Sequence, residues 1–263
     1  MALVSERDRI QSLERGVQVL RAFGGRESWL TVVEIAARTG LARPVVRRIL
    51  LTFEALGYAE STNGQWNLTP RILELGSGYF ARSSLPEISY GFMGDVVERT
   101  GMTCSVGVLD AVEVIHVARV EDHRPLPDSV RIGNRLPAHA TAVGKVLLAA
   151  LPVEELTARL RAAPLEPQTP ATIISVPELV DRVALVRQRG WDVSLEELHP
   201  GQVAAAVPII AGDRTVGGLT ASSSTVRQTE ESLRESVVPV LRACAAAIGS
   251  AYRNANPQLF RAD

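Results

Sequence analysis

Lysine is nearly missing from this 263-residue chain: Lys145 stands alone, and every other one of its 28 basic residues is arginine. A GC-rich coding bias produces that pattern, so it is no argument by itself for guanidinium chemistry. Cysteine is equally scarce. Cys104 and Cys244 lie too far apart for a CxxC metal pair and are too few for a disulfide framework. The sequence holds no apolar run of about eighteen residues, and Met1 to Asp8 carry mixed charge in place of a basic stretch with an apolar core. Neither a membrane span nor a signal peptide is expected, and the chain reads as cytoplasmic. A GxSxG elbow, a phosphate-binding glycine loop and a paired-carboxylate signature are also lacking, so no enzyme and no cofactor is implied. Internal repeats and low-complexity segments are missing too.

What is present suffices for two modest domains, since 46% of the residues are hydrophobic. The net charge of −1 averages unlike parts: residues 1–82 carry +3 and the remainder −4. A mildly basic N-terminal module beside an acidic remainder suits local binding of phosphate without a chain that adheres to nucleic acid everywhere.

The segment Ala36-Ala-Arg-Thr-Gly40-Leu-Ala-Arg-Pro-Val-Val46-Arg-Arg-Ile49 has the spacing of a helix-turn-helix. Ala36 permits close helix contact, Gly40 can take the positive φ of a tight turn, and Val46 supplies a buried anchor. Thr31 with Glu34 predicts a capping box, and Pro44 falls in the first turn of the next helix. Ahead of them, Ser12 is a plausible N-cap for a helix with Leu13, Val17, Leu20 and Phe23 on its inner stripe. Behind them, Tyr58–Ser61 and Gln65–Leu68 alternate around Asn63-Gly64, the sequence of a tight hairpin. Helix, turn, helix and hairpin in that order make a winged helix-turn-helix.

Thr69-Pro70 opens a further helix expected to reach Ser83-Ser84 and to link two domains. Leu85–Arg99 is expected to be helical, closed by Gly101. Beyond it, strands are expected at Cys104–Leu109, Val112–Val120, Ser129–Ile132, Asp192–Leu195, Ala204–Ile210 and Val216–Ser222. Helices are expected at Ala142–Ala150, Pro152–Arg161, Pro177–Arg189 and Glu230–Arg253. The fold class is therefore α+β: a winged helix-turn-helix over residues 10–69, a linker helix over 70–84, an α/β small-molecule-sensing domain with an antiparallel sheet over 85–254, and a tail over 255–263.

With these pieces in hand the chain resembles the IclR (isocitrate lyase regulator) family of transcriptional regulators over roughly residues 10–253. The resemblance rests on Ser12-Leu-Glu-Arg-Gly16, Thr39-Gly-Leu, Leu56-Gly-Tyr58, Leu68-Thr-Pro-Arg71 with Leu75-Gly76, Leu136-Pro-Ala-His-Ala-Thr-Ala-Val-Gly-Lys145, and Gly201 ahead of the Ala204 strand. Val46-Arg-Arg-Ile-Leu50 with Leu85-Pro-Glu-Ile88 is most similar to the PcaR, PcaU and PobR subgroup. It implies a dimer or tetramer on a pseudo-palindromic DNA operator, a curved GAF/PAS-like sheet in the sensing domain, and an aromatic-acid effector such as protocatechuate or 4-hydroxybenzoate. A regulator answering a non-aromatic acid of the glyoxylate or pyruvate type is the alternative. The resemblance also implies an effector pocket at Thr141, Ala142 and Val143, at Glu196 and Ala204, and at Thr220 and Ser222.

On the DNA side Arg43 and Arg47 share a helix face and Arg48 turns away from it, so at least two can enter a major groove. Which one reaches a base stays open. Pro44 and Val45 can touch a thymine methyl; Thr31, Arg38 and Arg71 suit phosphate contacts; Asn63 and Gln65 at the wing tip suit the minor groove. Trp66 fits packing on its own domain better than a backbone contact. Lys145 either balances an anion or bridges a nearby carboxylate. Arg131 and Arg135 suit surface ion pairs better than a ligand. His116, His123, His139 and His199 lack metal-ligand spacing, and a Cys104 nucleophile with His116 or His139 as base is disfavoured by the apolar run around that cysteine.

Overall fold

The computed structural model describes residues 8–24, 27–80, 84–122 and 131–260. They form two compact units, Met1–Tyr79 and Phe80–Asp263. In the first, α1 (Gln11–Arg21), α2 (Val32–Thr39) and α3 (Arg43–Ala55) pack with a three-stranded sheet of order β1-β3-β2, where β1 is Leu30–Thr31, β2 Ala59–Thr62 and β3 Gln65–Leu68. Strand β1 is an addition to the expected hairpin. Val19, Leu30, Ile35, Val46, Leu50, Ala59 and Trp66 make the core. Thr31 and Glu34 close the capping box on α2, and Gly40 ends that helix at φ 70° with its N–H on the Ala36 carbonyl. Asn63 and Gly64 both take positive φ, as a two-residue hairpin turn needs.

Two expectations fail in this unit. Helix α1 begins after Ile10, so Ser12 is inside it and caps nothing. Its buried face is Gly16 and Val19, with Gly16 against Phe53; of the expected stripe Leu20 is half-buried and Phe23 packs against the core, while Leu13 is 65% and Val17 42% exposed. A glycine lets α1 lie close to α3, which turns the larger aliphatics outward. The expected linker α-helix is instead a 3-10 helix over Pro70–Gly76 followed by turns to Phe80. The Thr69 hydroxyl, its expected cap, donates to the Gly57 carbonyl at 2.6 Å, and Gly76 and Gly78 weaken any continuation.

The second unit is built on a six-stranded antiparallel sheet of order β6-β5-β4-β9-β8-β7. Its strands are β4 (Thr103–Asp110), β5 (Glu113–Val120), β6 (Arg135–Pro137), β7 (Asp192–Leu195), β8 (Gln202–Ala211) and β9 (Arg214–Ser224). The strand expected at Ser129–Ile132 lies partly outside the described residues; Arg131 and Ile132 are not in a strand, and β6 forms the sheet edge. Alternation along β8 separates two cores. Val203, Ala205, Val207 and Ile209 join the cluster under α4 (Leu85–Thr100) and the final helix. Ala204 and Ala206 face the cluster of α5 (Ala142–Leu148), α6 (Val153–Ala162) and α7 (Val176–Arg189). The final helix is not continuous: α8 (Glu230–Ser232) passes through a π-helical turn over Leu233–Val237 into α9 (Val238–Ala255). Pro239 lacks an N–H and sits at the start of α9, where the turn accommodates it.

Candidate functional sites

On α3, Val46 and Leu50 are buried, Ile49 and Phe53 half-buried, and Arg43, Pro44, Arg47 and Arg48 exposed beside a half-buried Val45. Among the described residues no hydrogen bond or ion pair engages the guanidinium groups of those three arginines. The other candidates of this unit are engaged within it. Arg38 donates to the Ala22 carbonyl and to Glu27, both at 2.9 Å. Arg71 pairs with Glu74 and lies over the Tyr58 ring at 5.6 Å. The Thr31 hydroxyl donates to Glu34 and accepts from its N–H, and the Thr31 backbone and side-chain bonds hold the Glu34 carboxyl below its usual pKa. Asn63 stands exposed on the wing turn, and Trp66 is buried in the core.

In the second unit a cavity opens between the α5 face of the sheet and the loop leading into α5. Gly144 makes this approach possible, because a Cβ there would sit 2.2 Å from the Ala138 carbonyl oxygen. Thr141 caps α5 by accepting from the Gly144 N–H at 3.0 Å. Thr141, Ala142, Val143, Ala204, Thr220 and Ser222 all line the cavity, joined by Ser194 of β7 and Gln202 of β8. Glu196 is not among the lining residues; its backbone takes φ 57° and its N–H bonds the Gln202 carbonyl.

Two lining residues on β5 were not singled out for this pocket: His116 and Arg119. In a regular strand residues three apart point to opposite faces. Here the β4–β5 register shifts, with Val106 opposite Ala118 and Gly107 opposite His116, so Val117 is an extra residue. That bulge changes the phase of the strand and turns both side chains into one cavity. No local sequence signal marks it. Arg119, with 8% of its side chain exposed, pairs with Glu121 at 3.0 Å, donates to the Ser105 hydroxyl at 3.4 Å, and is among the described residues the only formally charged one lining the cavity. His116 is 4% exposed, and among the described residues neither ring nitrogen has a hydrogen-bond partner. Burial first, and the Arg119 cation second, push its pKa down to about 4, so the imidazole is neutral.

Lys145 takes the bridging alternative. Fully buried, it meets Glu197 at 2.5 Å and Asp192 at 3.2 Å; Arg182 and Arg189 also reach Asp192. This network ties α5 and α7 to β7 and the segment after it. Arg135 pairs with Asp110 and Glu113, which raise its pKa. Burial raises the Cys104 thiol well above its usual pKa, and Cys104 belongs to the α4–α9 core. His139 bonds the Glu166 carbonyl at 3.0 Å. The pairing that nucleophilic catalysis would need is therefore not set up. His123 lies outside the described residues, among which no group of three or more His, Cys, Asp or Glu could hold a metal.

Residues 12–62 match the IclR helix-turn-helix domain, and residues 78–250 match the bacterial transcriptional regulator IclR C-terminal domain. The p-hydroxybenzoate hydroxylase transcriptional activator of Acinetobacter baylyi is 36% identical, over 89% of this chain and 89% of that protein. A transcriptional regulator of Rhodococcus sp. RHA1, known as a crystal structure, is 36% identical with a TM-score of 0.81, over 94% of this chain and 99% of that one. The inducer-binding domain of a double mutant of the Acinetobacter PobR transcription factor, crystallised with 3-hydroxybenzoic acid, is 35% identical with a TM-score of 0.60, over 63% of this chain and 97% of that one.

Proposed function

The chain belongs to the IclR family of bacterial transcriptional regulators, and from that premise we propose that it controls an operon for catabolism of aromatic acids, with a hydroxybenzoate such as 4-hydroxybenzoate or protocatechuate as effector. The observation that carries the ligand class is the cavity itself: one guanidinium, Arg119, set among alanine methyls and hydroxyls. A guanidinium can take a carboxylate bidentately, and the alanine, valine and leucine side chains of the wall offer apolar contact to a flat ring. The relative named for p-hydroxybenzoate hydroxylase and the neighbour holding 3-hydroxybenzoic acid support the same class.

On the DNA side the reading assigns Arg43, Arg47 and Arg48, with Pro44 and Val45, to the major groove and Asn63 to the minor groove. Arg38 and Arg71, each engaged inside the domain, place the backbone contacts, as does Thr31 through the α2 N-terminus. Leu13 and Val17 on α1, with Ile10 just ahead of it, are exposed apolar side chains, which supports self-association into a homodimer or a tetramer. Two copies would set their recognition helices one DNA turn, about 34 Å, or a multiple of it apart on a pseudo-palindrome. Work on such an operator belongs in the cytoplasm; among the described residues no helix is long and apolar enough to cross a membrane.

The test is a thermal-shift and calorimetric comparison of 4-hydroxybenzoate, protocatechuate, glyoxylate and pyruvate on the full chain. Saturable binding of the hydroxybenzoates, with stabilisation, is the expected result. Binding of glyoxylate or pyruvate alone would replace the aromatic reading by the non-aromatic one.

A further inference from the structure

His116 is the feature of this cavity that an acid-binding role alone leaves unexplained. It is a polar ring almost wholly enclosed, with both nitrogens unpaired among the described residues, and a buried unpaired polar group is destabilising. A neutral imidazole offers one donor and one acceptor. A carboxylate presents only acceptors and can meet only the nitrogen that carries the proton, whereas a hydroxyl, donor and acceptor at once, can pair with either nitrogen. Arg119 already supplies the cation that a carboxylate needs.

The spacing fits a ligand with two polar ends. Three residues of bulged strand span roughly 7–10 Å at about 3.3 Å per residue, the order of the separation between the carboxylate and the para oxygen of a benzoate. The Val117 bulge directs both anchors into one space. Among the other lining hydroxyls, Thr220 donates to the Ala205 carbonyl and Thr141 accepts from Gly144, while Ser194 and Ser222 face the same cavity.

Resting on the aromatic-acid reading above, we propose that His116 is the specificity-determining residue of the effector site, pairing with a ring hydroxyl of the effector while Arg119 holds its carboxylate. The site then selects hydroxylated aromatic acids over their unhydroxylated counterparts. It does so by hydrogen bonding, because the analogue lacking the hydroxyl leaves the imidazole unpaired.

The test is calorimetric titration of full-length wild type, His116→Phe and His116→Gln with 4-hydroxybenzoate and with benzoate. Wild type is expected to favour 4-hydroxybenzoate by about tenfold or more. His116→Phe should remove that preference, and His116→Gln, which retains a donor and an acceptor, should keep part of it. Equal wild-type affinity for the two acids overturns the assignment of His116 and leaves the aromatic-acid reading standing. So does an equal loss of both acids in the variants. Should wild type bind neither of these acids nor protocatechuate, the aromatic reading itself falls and the assignment with it. If His116→Phe does not fold, the wild-type preference and the glutamine variant decide the matter.

Discussion

The arginines of α3 and the cations around β7 sit at opposite ends of electrostatic compensation. Arg43, Arg47 and Arg48 project from an exposed helix face with no carboxylate engaging them among the described residues. Lys145, Arg182 and Arg189 converge on Asp192 and Glu197 in the interior of the sensing unit. The difference separates positive charge that is available to a phosphate or a base from positive charge that fixes the wall of a cavity. A count of basic residues cannot make that distinction; their partners can. Arg119 stands between the two cases, nearly buried, with a half-exposed Glu121 as its carboxylate partner among the described residues and the Ser105 hydroxyl accepting from it at 3.4 Å, while its side chain faces the cavity.

Replacing Lys145 by Met should test the compensated side most severely. It strands the buried Glu197 carboxylate and leaves Asp192 to Arg182 and Arg189, and removing one partner of a buried pair costs about 3–5 kcal/mol. Urea denaturation of the variant should show that loss; a change under about 1 kcal/mol would mean the network is not structural. The next effect in size belongs to His116. Its folded pKa of about 4 lies below the ordinary 6.5, so the unfolded chain binds the extra proton first. The associated stability is complete above pH 6.5 and is lost as pH falls toward 4, by up to about 3 kcal/mol. His116→Phe should flatten the stability profile across that window, and an unchanged slope would show that the acid sensitivity arises elsewhere.

On the uncompensated side, Arg47→Ala or Arg48→Ala should weaken binding to a duplex enriched by the wild-type protein from a random pool. The expected loss is about 1–3 kcal/mol for whichever side chain reads a base, with folding stability within about 0.5 kcal/mol of wild type. Unaltered affinity in both variants, measured by gel shift, would remove α3 from the groove. The smallest effect is expected from Thr31→Ala, which deletes the α2 cap at a cost of about 1 kcal/mol. Calorimetric melting of the chain should register it.

The winged helix-turn-helix was legible because each of its signals is local: Thr31 with Glu34, Gly40, Pro44 and Asn63-Gly64 all act within a few residues. The face of α1 was not, since apolar periodicity reports that a stripe exists and not whether it meets the domain core or remains outside it. Gly16 decided that question through Phe53, a residue far along the chain. The linker failed for a related reason: the cap at Thr69 is diverted to a carbonyl twelve residues away. In the sensing unit the strands and helices were largely readable from alternation and punctuation. The two charged or polar anchors on β5 were not, because a bulge defined only by pairing with β4 reverses the two-residue period that a sequence displays.

The most direct test of the whole account couples both units in one titration. Fluorescence anisotropy of the enriched duplex would be measured with full-length protein, with and without saturating 4-hydroxybenzoate. A regulator of this design should change its DNA affinity about 5- to 150-fold on effector binding, with the variant His116→Phe requiring more 4-hydroxybenzoate to reach the same change. An unchanged DNA affinity, with calorimetry showing 4-hydroxybenzoate bound, would contradict the account.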